Sequence, residues 1–185
     1  MKKIILMLSV AAMLLTSCGS VPITGRKQLN LVSDQEVLAA SLQEYATFMQ
    51  SAPISANKTQ SAQVTRVGQR IAAATEAYLK YVGLESELQN YAWEFNLVKS
   101  DDVNAWCMPG GKIVVYEGIM NLVSSDDELA VVIGHEVAHA VAKHSNERMS
   151  QQVLAQYGAS AIGILTSGKS AAPYALFSAA SDTPR

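Results

Sequence analysis

His135, Glu136 and His139 stand in the run His135-Glu136-Val137-Ala138-His139, and their types and spacing suit one chemistry. On an α-helix each residue turns about 100° and rises about 1.5 Å, so the two histidines fall ~40° apart and ~6 Å along the axis. Two imidazoles so placed can close on one tetrahedral Zn²⁺, one ion per chain. Glu136 falls ~60° round from His139, on the flank of that face. A carboxylate there can take a proton from a water activated by the metal without itself being a ligand. At average residue usage the pattern H-E-x-x-H arises by accident in well under ~1% of chains of this length.

The flanks strengthen the metal reading. Val132 to Val141 carries no charge apart from Glu136, so the helix is expected to be buried on most sides. Two histidines and a carboxylate among Val, Ile and Ala are costly unless a cation pairs them. A surface helix with incidental His and Glu, the competing reading, does not explain that apolar surround. Ser125-Asp126-Asp127-Glu128 signs the helix start as a capping box, with extra acids at the positive end of the dipole.

The elements that must position this helix begin after an export signal. Lys2 and Lys3 form a positive n-region and Ile4 to Leu15 an apolar h-region, too short for a stable bilayer anchor. Leu15-Thr16-Ser17-Cys18 matches a bacterial lipobox, which predicts a signal peptide over 1–17 and an acylated Cys18 as the first mature residue. Gly19 follows, not Asp, which in the enterobacterial sorting rule points to the outer membrane, with the protein facing the periplasm. A multiply acylated cysteine holds a bilayer far more firmly than one chain does.

The 168 residues that remain suit one domain with a real core. Cys107 is then the only non-lipidated thiol, so no intrachain disulfide is expected. Net charge is −2 and falls by two, to −4, once Lys2 and Lys3 are removed. No basic run marks the mature part, which argues against a nucleic-acid partner. No later apolar stretch reaches ~18 residues, so the chain is expected to be anchored and not integral.

Along the chain, 18–32 is expected to be a polar tether and 33–165 the folded domain. A second capping box, Ser33 to Glu36, precedes helical periodicity through Leu38, Leu42, Tyr45 and Met49. After a loop over 51–58, Val64, Val67, Ile71, Tyr78 and Leu79 predict a second amphipathic helix ending near Gly83. Tyr91, Trp93, Phe95 and Leu97 alternate with Ala92, Glu94 and Asn96 as in a half-buried strand. Runs 103–108 and 113–116 flank a Pro109-Gly110-Gly111 turn and predict a hairpin. A short helix near 118–123, the metal helix to about Glu147, another helical run to about Leu165 and an irregular tail over 166–185 complete the pattern. The expected fold is α+β, with the metal helix packed under a small antiparallel sheet from 91–98, 103–108 and 112–116.

Gly163 to Ser170 fits the phosphate-loop pattern G-x-x-x-x-G-K-[ST]. A working one needs a strand before it and a helix after it. Here the preceding run is helical and Pro173 follows closely, so no nucleotide is expected and the segment is read as a turn between helices.

Four stretches carry a family resemblance. They are Pro22 to Leu29 (PITGRKQL), Asn104-Ala105-Trp106-Cys107-Met108-Pro109-Gly110-Gly111, Asp127-Glu128-Leu129-Ala130 with His135 to His139, and Lys143 to Arg148. In that order they resemble the gluzincin peptidases that include the heat-shock membrane protease HtpX, the prenyl-protein CAAX endopeptidase and the mitochondrial Oma protease, most of all their periplasmic lipoprotein members. The resemblance implies a zincin-like fold and a zinc-dependent endopeptidase acting on unfolded or misfolded envelope proteins, with Glu136 as general base. It implies that a substrate strand docks antiparallel at the sheet edge, around Asn104, Ala105, Pro109 and Gly110.

Catalytic zinc takes three protein ligands plus water. The resemblance implies a glutamate on a later helix as the third, and Asp182 is the only acid after Arg148. The expectation is therefore a fragment or frameshifted product, with weak or no catalysis, or else a zinc-binding or chaperone-like lipoprotein without turnover; Asp182 as a substitute ligand is the lesser alternative. Val132, Val137 and the neighbouring alanines would then be partly exposed. His144 lies nine residues beyond His135, ~180° round a continuous helix, and is expected to face away from the metal. Glu147, ~12 Å along that helix from His139, is expected to be solvated or salt-bridged.

Overall fold

The structure, a computed structural model, describes residues 18–21 and 25–167. Strands β1 (Cys18–Ser20) and β2 (Lys27–Leu29) pair antiparallel, with Cys18 opposite Leu29. Helices α1 (Asp34–Ser51) and α2 (Lys58–Tyr81) follow, then a 3-10 turn over Glu85–Asn90. Strands β3 (Glu94–Val98), β4 (Ala105–Met108) and β5 (Lys112–Tyr116) lead to the one-turn helix α3 (Glu117–Met120). Helices α4 (Asp126–Val141) and α5 (His144–Ser167) close the order. The architecture is α+β.

Caps start the helices where the sequence signs them. Ser33 Oγ accepts from the Glu36 amide at 3.3 Å, and the Glu36 carboxylate accepts from the Ser33 amide at 3.0 Å. At α4, Ser125 Oγ accepts from the Glu128 amide at 3.2 Å, while the Glu128 carboxylate reaches back to the amide of Ser124. Asn57 caps α2, which ends just before Gly83 at φ 76°.

The three-stranded sheet is mixed, in the order β3-β5-β4, which corrects the expected antiparallel sheet. The turn Pro109-Gly110-Gly111 makes β4 and β5 an antiparallel hairpin. β3 instead runs parallel to β5, from Glu94 opposite Lys112 to Val98 opposite Tyr116. The connection 99–104 crosses over the end of β5 and delivers β4 to its far side. Bonds from the Tyr116 amide to Asn104 O (3.0 Å) and from the Gly118 amide to Ser100 O (2.9 Å) fix that crossing.

Alternation in the strands supplies a separate layer on each face. Leu97, Ile113, Val115, Ala105 and Cys107 face α2 and α4, where Val64, Val67, Leu129, Ile133 and Val137 complete the main core. Val98, Val114, Trp106 and Met108 face α1, against Tyr45 and Phe48. Val137, expected to be partly exposed, is buried in the main core, whereas Val132 is half-buried and Ala138 exposed.

Two further expectations give way. Lys27–Leu29 does not belong to a free tether: Arg26 is ion-paired to Glu147 of α5, the Leu31 amide donates to Ser150 Oγ at 2.9 Å, and Gln28 is buried. The metal helix stops at Val141 and not near Glu147. Gly163 to Ser167 continue α5, so that part of the phosphate-loop pattern is helix, not a turn, and no strand precedes it. Residues 1–17, Asp182 and most of the expected tail lie outside the described residues.

Candidate active site

Helix α4 packs against both α2 and β4, so its exposed face lies beside an edge strand of the sheet. Leu129, Ile133, Val137 and Val141 turn inward, which leaves His135 and His139 outward on the adjacent stripe. Their Nε2 atoms lie 2.9 Å apart, with ring planes at 89°. Tetrahedral zinc, at about 2.0–2.1 Å from each imidazole, sets two such nitrogens about 3.3 Å apart. The observed pair is within a few tenths of an ångström of that, and both rings offer the same atom to one point. These two residues therefore fit the metal that their spacing implies. Among the described residues no third His, Cys, Asp or Glu completes a metal-holding cluster.

Burial first, then His135, His144 and Arg148, hold His139 below the ordinary histidine range, which keeps it neutral and able to ligate at neutral pH. Glu136 is half-buried. Its charge is felt at Cys107 of β4, whose thiol is pushed up to about 12, first by burial and then by Glu136. Cys107 thus stays a protonated residue packed against the main core. An apolar groove of about 630 Å³ flanks the histidines between α2 and α4, lined by Ile71, Ala74, Tyr78, Ala138 and Val141.

The remaining predicted residues collect at β4 and its turn. Ala105 opens β4, and Asn104 precedes it, its carbonyl tied to β5. Gly110 and Gly111 adopt φ 91° and 77°, and a Cβ at Gly111 would sit 2.6 Å from the Trp93 ring. Glycine is required there on both counts. The backbone of Cys18 lies in β1, opposite Leu29.

His144 overturns its expectation. It does not face away: its Nδ1 lies 2.5 Å from His139 Nδ1. His144 comes round to His139 because α4 does not continue. The amides of Ala142 and Lys143 close on Ala138 and Ala140, Lys143 turns to φ 55°, and α5 starts afresh at His144. Lys143 is held in that left-handed conformation by Asp34 (2.6 Å) and Glu87 (3.0 Å). Glu147 is salt-bridged, as expected, to Arg26.

A paired-histidine helix with an adjoining glutamate, set beside a small sheet, defines a metallopeptidase-type domain. The profile of peptidase family M48 matches residues 56–180, and the chain belongs to that family, whose members are zinc-dependent metallopeptidases. It is similar to the mitochondrial metalloendopeptidase OMA1 of Schizosaccharomyces pombe, at 31% identity over 70% of this chain and 36% of the relative. Similarity to OMA1 of Arabidopsis thaliana is higher, at 48%, but over 37% of this chain and 14% of that protein. The metalloprotease YcaL of Escherichia coli is 26% identical over 80% of this chain and 57% of its own length. The chain thus spans between 14% and 57% of these relatives.

Proposed function

We propose that this chain carries the catalytic helix of a zinc-dependent endopeptidase of the bacterial cell envelope, on a zincin-like scaffold of the gluzincin type. The observation that carries the reading is the pair of Nε2 atoms 2.9 Å apart on α4, with the half-buried Glu136 adjoining. His135 and His139 hold one zinc ion. Bound zinc supplies a Lewis acid that polarises the scissile carbonyl and makes water nucleophilic near neutral pH. Glu136 takes a proton from the attacking water and returns it to the leaving amine as the C–N bond breaks. Edge strand β4, from Asn104 and Ala105 to the Pro109-Gly110 turn, offers its free side to an extended substrate. Backbone pairing of that kind makes little demand on sequence, which suits unfolded or misfolded envelope proteins as substrates. Nucleic acid and nucleotide have no part in it.

Acylated Cys18 anchors the domain to the lipid bilayer, at the outer membrane facing the periplasm. Similarity to YcaL, a bacterial metalloprotease, supports a bacterial setting.

The test is cleavage of an unfolded reporter such as reduced casein, with chelator and with Glu136→Gln as controls. Cleavage lost in both controls supports the proposal, and cleavage that survives both overturns it. A second reading, zinc binding without turnover, is favoured by the two-donor set among the described residues. It is the outcome if wild-type chain binds zinc yet cleaves nothing.

A further inference from the structure

Helix α4 ends two residues after His139, and the left-handed Lys143 swings the first residue of α5 back over it. The result is a file of three imidazoles. His135 Nε2 meets His139 Nε2 at 2.9 Å, and His139 Nδ1 meets His144 Nδ1 at 2.5 Å. A neutral imidazole carries one N–H and one lone pair, so the His139–His144 contact has a donor and an acceptor, whereas a bound metal would take the place of the proton between the two Nε2 atoms. If His139 is to present the Nε2 lone pair to a metal, its proton must sit on Nδ1. The group facing that proton is Nδ1 of His144, at hydrogen-bonding distance, which then keeps its own proton on Nε2. The opposite direction, with His144 donating, would put the His139 proton on Nε2 and block ligation there.

From this geometry we propose that His144 is a positioning residue: it accepts the hydrogen bond from His139 Nδ1–H and so fixes the tautomer and ring orientation in which His139 can bind metal. The proposal rests on the reading of His135 and His139 as metal ligands. Partners that orient a ligating histidine in this way are worth roughly 10- to 100-fold in metal affinity. His144 itself does not join the ligand set, because it meets the nitrogen of His139 that points away from His135.

The experiment is a zinc titration of the full chain against a chromogenic chelator, for wild type, His144→Ala, His144→Asn and His135→Ala, with circular dichroism to confirm folding. His144→Ala is expected to weaken zinc binding roughly 10- to 100-fold. His144→Asn keeps an acceptor close to the place of Nδ1 and should recover most of that loss. Nitrogen NMR of the zinc-loaded wild type should show His139 protonated at Nδ1, with the proton protected from exchange; His144→Ala should lose that protection. Equal affinity in wild type and His144→Ala overturns the proposal, as does a loss that asparagine does not rescue. A His144 nitrogen bound to the metal overturns it too. If wild-type chain binds no zinc, or His135→Ala binds as well as wild type, it is the ligand reading that has failed.

Discussion

At the residue scale, residues given different tasks stand within about one helical turn. In the proposed reading His135 and His139 would present lone pairs to the metal, and Glu136 would move protons. The expected outcomes of substitution therefore divide. Glu136→Gln should leave zinc affinity nearly unchanged while lowering peptide cleavage by roughly 10²–10⁴-fold, the usual cost of losing a general base. Isothermal titration and a peptide assay on the same preparation check both halves, and full activity in that variant would remove the role given to Glu136. His135→Ala or His139→Ala should lose the metal itself. The facing of His135 and His139 was legible from spacing alone, because a 100° turn per residue brings residues four apart to one face. His144 was not, because the same arithmetic carried across residues 142–143 assumes a helix that the chain does not continue. No Gly, Pro or Asn marks that break. Lys143 takes the left-handed conformation because Asp34 and Glu87, distant in sequence, hold its ammonium.

At the element scale, that break and the β4–β5 turn each yield a test. In a helix interior alanine outperforms glycine by up to about 1 kcal/mol. At position 143, with φ 55°, the order should invert. Lys143→Gly should be more stable than Lys143→Ala by about 1 kcal/mol, since only the glycine is free of the left-handed penalty, although both lose the ion pairs. Urea denaturation of the two variants decides it, and an alanine variant equal to or better than the glycine variant would mean position 143 is not left-handed in solution. Gly111→Ala should cost about 1–3 kcal/mol, because its φ is 77° and its Cβ would press on Trp93 at 2.6 Å. The hairpin itself was legible from Pro109-Gly110-Gly111. The parallel pairing of β3 with β5 was not, since alternation identifies a strand but not its neighbour.

At the scale of the whole molecule, the sheet is clamped between α1 on one face and α2 with α4 on the other. A polar network ties it to α1: Lys112, almost fully buried, donates to Glu94 at 2.6 Å, and Tyr45 donates to the same carboxylate at 2.9 Å. Lys112 first, and then Tyr45, holds the Glu94 carboxyl below the usual carboxylate range. A depressed carboxylate pKa contributes stability that is present above the unfolded value, near 4.5, and lost as pH falls through the folded value. Glu94→Gln should therefore flatten the fall in stability on acidification below about pH 4.5. Chemical denaturation at a series of pH values reads this, and an unchanged slope would mean the clamp does not form in solution. The layered α+β arrangement was legible in the sequence from the switch between periods of 3.6 and 2. The docking of β2 and its flanks on α5 was not, because a polar stretch with Pro and Gly carries no sign of what it packs against.

The central claim is that α4 presents a zinc site built on His135 and His139. Metal analysis of the full chain equilibrated with excess zinc and freed of unbound ion tests it most directly, with His135→Ala and His139→Ala measured alongside. One zinc per chain in the wild type, lost on replacing either histidine, is the result expected from this reading. A wild-type chain that retains no zinc, or one whose zinc survives both replacements, would contradict it.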